Sequence, residues 1–194
     1  MSAQIDFWFS IGSTYSYLSV MRIEDVARQH SVRIRWRPFD VVAIMTQMEN
    51  FPIHTKPAKL RYMWRDVERR AALHRVSWST IPPYPIRYLS LVNRIALLGA
   101  EEDWCAGYAK AAGKGQDPSI EPTLSGILSQ IGQSPDTIIA SAASADSKGR
   151  LASETNAARA LGIFGSPTFA VGDEIFWGDD RLEEAIRWRA PKAN

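Results

Sequence analysis

The chain has 194 residues, 45% hydrophobic and 23% charged, with a formal net charge of +2. These proportions describe an ordinary globular chain long enough to bury a core. The small charge excess, without a dense basic block, argues against nucleic-acid binding. No run suits a signal peptide or a membrane span, so no membrane association and a cytoplasmic location are expected. The single cysteine, Cys105, excludes an internal disulfide and any Cys-x-x-Cys redox pair. Three scattered histidines, His30, His54 and His74, lack ligand spacing, so no metal is expected.

In chain order, residues 4–10 alternate and predict a strand. Gly12-Ser13-Thr14 is a tight turn into a helix over 14–30, where Val20, Ile23 and Ala27 share a face with Leu18 and Met21 alongside. The turn places the Ser13 hydroxyl beside the unpaired N–H groups at the positive end of that helix. Such a place suits an anion, a thiolate or a phosphate, and it equally suits a plain N-cap. Val32-Arg33-Ile34-Arg35-Trp36 alternates as a second strand, closed by Arg37-Pro38-Phe39 because proline cannot donate to a ladder. Strand–helix–strand at this length is a right-handed unit with parallel strands.

The middle of the chain reads as helical. Pro57–Leu73 carries Leu60, Met63, Trp64 and Val67 at helical spacing, and Arg61, Arg65 and Arg69 on another face. That basic stripe is either a solvated face or a rim attracting an anionic substrate. Ser79–Pro85, with three prolines, is a rigid extended loop. Further helices are predicted over Arg87–Leu98, Glu101–Ala112, Glu121–Ile131, from the Ser134 cap onward, and over Asp146–Leu161. Cys105 reads as a buried structural thiol. Gly113–Asp117 is a loop without the full phosphate-loop pattern. Thr168–Val171 and Glu174–Phe176, joined by Gly172-Asp173, form a hairpin. Asp179 or Asp180 then caps a last helix over Arg181–Arg189. The order βαβ, helices, ββα is an α/β thioredoxin-like fold with an inserted all-helical domain. We expect residues 1–45 plus 163–194 to form the first domain and 46–162 the second.

The chain resembles the 2-hydroxychromene-2-carboxylate isomerase family, kin of kappa-class glutathione transferases and of disulfide oxidoreductases. The family start, D-F-Y-F-D-F-x-S-P-Y-S-Y-L, compares with Asp6–Leu18; its middle, R-P-F then Y-M-x-R-D-x-E-R, with Arg37-Pro38-Phe39 and Tyr62–Arg69. Its end, V-F-G-V-P-T-F-x-V-G-x-E-x-F-W-G-x-D-R-L, compares with Ile163–Leu182. The resemblance implies glutathione as cofactor and a small aromatic substrate, with Ser13 in place of the thioredoxin cysteine, donating to the glutathione sulfur. It implies a cis bond at Pro167, so that Ser166 offers its backbone to glutathione, with Trp177, Gly178, Asp179 and Asp180 at the γ-glutamyl end. It places Arg87 and Asn50 on the substrate, and leaves a homodimer open. Three positions depart from the family: Thr14 stands for a proline, Ser10 for an aspartate, and Thr46 near a usual lysine. The expected activity is a glutathione-dependent cis–trans isomerase. The alternatives are a kappa-class-like transferase and a non-catalytic glutathione- or peptide-binding module.

Overall fold

Ile5, Phe7 and Phe9 project to one side of the first strand and Trp8 to the other, and all four are buried. A strand apolar on both sides belongs in the middle of a sheet covered on both faces. In the computed structural model, which describes residues 3–50, 56–78 and 80–189, that strand is β1, Ala3–Phe9. His54 and Ser79 lie outside the described residues.

β2 (Val32–Pro38) pairs with β1 in parallel, Ile5 facing Ile34 and Phe7 facing Trp36. β3 (Thr168–Val171) pairs with β1 antiparallel on its other side, and β4 (Glu174–Trp177) completes the hairpin, giving the order β2-β1-β3-β4. β2 continues two residues further than expected, through Pro38. The ladder is then finished by the Phe39 N–H, which donates to the Phe9 carbonyl (3.0 Å).

The single helix expected over 14–30 is two, α1 (Thr14–Val20) and α2 (Ile23–Gln29). The break falls at Arg22, whose guanidinium ties to the Glu183 carboxylate and the Asp179 carbonyl, far along the chain. Apolar periodicity runs through the break because Leu18, Val20, Ile23 and Ala27 are buried in both helices. α3 (Val41–Gln47) follows β2, with Asp40 capping through the Ala43 N–H (3.1 Å). Then come α4 (Pro57–His74), α5 (Leu89–Glu101), α6 (Cys105–Ala112), α7 (Glu121–Gln130), α8 (Pro135–Ala143) and α9 (Ala145–Ala160). α6 begins four residues later than expected because Asp103 adopts φ +62°, outside the helical region. After β4, Asp179–Arg181 make a 3₁₀ turn and α10 runs over Leu182–Arg189.

Among the described residues, three apolar clusters hold these elements. Ile5, Phe7, Phe9 and Phe169 meet Val20 and Ile23, the buried faces of α5 to α8, and α10. Phe7 lies at the centre, stacked on Phe9 (5.0 Å) and Phe169 (5.3 Å) and edge-on to Trp36 (5.2 Å). On the opposite face Trp8 packs with Phe39, Val41, Ile44, Ala158 and Ile163. Tyr17 and Leu18 of α1 pack with Met63, Val67 and Ala71 of α4. The basic stripe on α4 is a solvated face: Arg65 and Arg69 are exposed and pair within the helix, with Glu68 (2.5 Å) and Asp66 (3.1 Å). Cys105 is buried, as expected, and burial pushes its thiol far above the ordinary range. No helix among the described residues is long and apolar enough to cross a membrane.

Candidate active site

β1 ends in the middle of the sheet, so the turn after it opens where α1 begins. The turn closes by the Ser13 N–H donating to the Ser10 carbonyl (3.0 Å). Ser13 is the N-cap of α1: its Oγ accepts the Ser16 N–H (3.2 Å). The same Oγ donates to the carbonyl of Ser166 (2.9 Å), more than 150 residues away. The Ser166–Pro167 bond is cis, as the resemblance implies, and the segment lies against the turn.

Two neighbouring serines, Ser10 and Ser16, belong to the same seam. The Ser10 N–H donates to Ser166 Oγ (2.9 Å), and Ser16 Oγ shares a hydrogen bond with Ser166 Oγ (2.7 Å). Both are buried, whereas Ser13 lines a cleft. A residue of α5 reaches the turn from behind. Asn93, fully buried, accepts the Ile11 N–H (2.8 Å) and donates to Ser10 Oγ (2.9 Å).

Opposite Ser13, the proline-rich loop forms the far wall of the cleft with Trp78, Pro82, Tyr84 and Ile86. Rings brace that wall: Trp64 meets Tyr84 edge-on (5.6 Å) and Trp78 at 6.1 Å, and Trp78 lies 6.1 Å from Tyr17. A separate cavity of about 240 Å³ shares Tyr17, Trp78 and Gly113 with the cleft and is also lined by Thr80 and Lys114. Burial raises the Tyr17 and Tyr84 phenols above their ordinary value, so both are neutral donors at physiological pH. Tyr17 donates to the Ser77 carbonyl (2.9 Å). Tyr15, raised by burial and by its hydrogen bond to Asp66 (3.0 Å), joins α1 to α4.

The other expected residues separate into two groups. The Gly178 N–H donates to the Pro167 carbonyl (3.0 Å), so the segment after β4 lies on the cis-proline. Trp177 is exposed and meets Phe164 edge-on (4.9 Å). Gly165 admits this, since a Cβ there would fall 2.3 Å from the Trp177 Nε1. Asp180 is exposed beside Gly178. Asp179 is buried, its carboxylate held by Arg70 Nε at 2.8 and 3.0 Å. Burial raises the Asp179 carboxyl above its ordinary value, against the pull of Arg70. Neither aspartate caps the last helix by its side chain as expected: Gly178 is the N-cap of the 3₁₀ turn that leads into it, and the Asp179 carboxylate is held by Arg70. Asn50, three residues past α3, and Arg87 are both exposed, and neither lines the cleft.

Sequence reasoning missed Arg70 and Asn93, although each carries a signal. Arg70 lies three residues after Val67, on the buried face of α4 rather than in the arginine stripe. Asn93 interrupts the apolar face of α5 between Val92 and Ile95. A charged or amide group on a buried face must have a partner, because an unpaired one is costly.

A family model described as a DsbA-like thioredoxin domain matches residues 4–186. A 2-hydroxychromene-2-carboxylate isomerase from Sphingobium xenophagum is 30% identical over 191 residues, covering 94% of this chain and 96% of that protein. One from Pseudomonas putida is 27% identical over 187 residues, covering 92% and 90%. Among solved structures, a selenomethionine 2-hydroxychromene-2-carboxylate isomerase superposes with a TM-score of 0.82 at 26% identity, covering 92% of this chain and 90% of that one.

Proposed function

The chain belongs to the DsbA-like thioredoxin domain family, and its homologues named 2-hydroxychromene-2-carboxylate isomerase support an isomerase function; we propose that it is a glutathione-dependent cis–trans isomerase of the 2-hydroxychromene-2-carboxylate type. The observation that carries this reading is a hydroxyl, Ser13 Oγ, on the cleft where α1 begins, hydrogen-bonded to Ser166 before the cis-proline. The one cysteine is buried with its thiol pushed far up, so a reactive sulfur has to come from a ligand.

The residues present fit glutathione. The Ser166 N–H makes no hydrogen bond among the described residues, and its carbonyl has a second lone pair, which suits strand-like pairing with a peptide. Asp180 offers an exposed carboxylate to an ammonium group, a charge-assisted pair. Asp179 serves instead as the buried support of this segment through Arg70. Bound glutathione supplies a thiolate that can add reversibly to a conjugated substrate, allowing rotation about the former double bond. The one Ser13 hydroxyl hydrogen is given to the Ser166 carbonyl; rotated from that carbonyl to a bound sulfur, it would stabilise negative charge at the mouth of α1 while Oγ still accepts the Ser16 N–H. The aromatic wall of Trp78 and Tyr84 suits a flat apolar body in the cleft.

One observation favours a second reading. Among the described residues the Ser13 cleft is lined by no arginine or lysine. A transferase acting on an uncharged electrophile would need none.

Calorimetric titration with reduced glutathione, wild type beside Ser13→Ala, tests the cofactor; turnover assays then test the class. An isomerase leaves glutathione unconsumed, a transferase consumes it, and a binding module does neither. Removing one donor to a charged sulfur is expected to lower kcat/KM about 10- to 100-fold. Loss of the cap should cost only about 1 kcal/mol of stability. Full activity in Ser13→Ala would remove the assigned role, and no glutathione binding by the wild type would remove the cofactor.

A further inference from the structure

We propose that Asn93 is the positioning residue of the site, fixing from behind the turn that aims Ser13. The seam between the β1–α1 turn and the Ser166–Pro167 segment consists of hydrogen bonds among four serine groups. Ser13 Oγ donates to the Ser166 carbonyl, the Ser10 N–H donates to Ser166 Oγ, and Ser16 Oγ pairs with the same Oγ. Two of these bonds have a backbone carbonyl or N–H at one end and run one way, the Ser16–Ser166 hydroxyl pair can run either way, and none of the three holds Ile11 or the Ser10 side chain. Asn93 holds both: it accepts at Oδ1 from the Ile11 N–H and donates at Nδ2 to Ser10 Oγ, and reversing it would set donor against donor at Ile11. Asn93 thereby fixes both residues that lead into Gly12 and Ser13.

The placement is rigid because the same face of α5 touches the turn twice. Leu89, one helical turn before Asn93, lies against Gly12, where a Cβ would fall 2.7 Å from Leu89 Cδ1. Asn93 itself is fully exposed to neither solvent nor cleft, with 0% of its surface accessible. A buried amide with both ends satisfied specifies one geometry, and a reactive group placed by such a shell loses rate when the shell is loosened. Asn93 touches no ligand position; it acts through Ser10 and Ile11.

The catalytic half of this proposal rests on the glutathione reading, so its test has a second arm that does not. The variants are Asn93→Leu, which removes both bonds at similar volume, and Ser10→Ala, which removes only the bond at Nδ2. In the first arm, the thiolate absorbance of protein-bound glutathione is followed against pH. Asn93→Leu is expected to hold about tenfold less thiolate at neutral pH and to lose kcat about tenfold. Its glutathione KM should stay within about threefold, and Ser10→Ala should fall between it and the wild type. In the second arm, without glutathione, amide hydrogen exchange is measured at Ser16, whose N–H donates to Ser13 Oγ and does not touch Asn93. Faster exchange at Ser16 in Asn93→Leu supports positioning; wild-type exchange there overturns it, whatever the first arm gives. Wild-type thiolate content and kcat in both variants also overturn it. Absence of any glutathione binding by the wild type defeats the cofactor reading and leaves the exchange arm to decide. Should Asn93→Leu not fold, Ser10→Ala decides by the same readouts.

Discussion

Arg70 sits where its helix should carry an apolar residue, and the reason lies more than 100 residues away. Its guanidinium holds the buried Asp179 carboxylate, while Arg22 reaches the Asp179 carbonyl. The segment that follows β4, with Trp177, Gly178 and Asp180, is therefore anchored to α4 by charge rather than by apolar contact. Breaking a buried pair from one side leaves a carboxylate uncompensated, which costs more than the pair is worth. Arg70→Met is expected to lower unfolding free energy in urea by about 3 kcal/mol, and adding Asp179→Asn to it should recover most of that loss. A loss under about 1 kcal/mol, or a double variant no better than the single, would show that the pair does not anchor the segment. Individual residues were thus unevenly visible in the sequence. Ser13, the cis-proline and the Trp177–Asp180 segment announce themselves by motif. The division of labour between Asp179 and Asp180 does not, because it depends on which carboxylate an arginine from another helix can reach.

At the scale of elements, the hairpin, the parallel pair β1–β2 and α4 follow from local pattern alone. The split of the first helix has a distant cause: a long-range contact overrides local periodicity. Arg22 breaks the predicted helix over 14–30 to reach the C-terminal segment, and the apolar rhythm hides the break because both halves face the same core. The loop after α6 shows the same coupling. A Cβ on Gly113 would fall 2.2 Å from Tyr17 Cδ2, so the close approach of this loop to α1 depends on glycine. Tyr17 in turn holds the Ser77 carbonyl and contacts Trp78 on the far wall. Gly113→Ala must therefore push the Tyr17 ring aside, at a cost of about 1–3 kcal/mol for overpacking. Gly126 in α7 has nothing within 4 Å of its Cβ position. Gly126→Ala there should stabilise by about 0.5–1 kcal/mol through helix propensity. Thermal unfolding of the two variants measures this, and equal effects would mean that the Gly113 contact is not tight. Under the proposed function, Gly113→Ala should also raise the KM for the aromatic substrate while leaving glutathione affinity unchanged.

For the whole molecule, the end of α4 is where the chain's distant parts meet, and charge makes that junction sensitive to pH. His74 closes α4 with its Nε2 buried and no hydrogen-bond partner among the described residues. A helix C-terminus ordinarily favours a protonated histidine. Here burial lowers the imidazole below its ordinary 6.5, Arg22 from the α1–α2 break and Arg70 from α4 add to that, and Glu183 of α10 and Asp179 only partly oppose them. Burial and two cations outweigh one helix end and two carboxylates, so the native state prefers His74 neutral. The folded form then binds fewer protons than the unfolded one between the lowered value and about 6.5. The stability that His74 contributes is accordingly present above the unfolded value and is lost as pH falls through the lowered folded one. Urea midpoints at pH 7.5, 6.5 and 5.5 should fall for the wild type and fall less for His74→Gln, which has no proton to gain. His30 is exposed, away from this cluster, and does not share its burial. Parallel curves for the two proteins would mean that the junction tolerates a charged imidazole, and that Asp179 and Glu183 rather than burial set its state. A steeper wild-type curve would identify the contact of α4 with the C-terminal segment, the one that carries Trp177 and Asp180 to the cis-proline, as the part of the fold that acid loosens first.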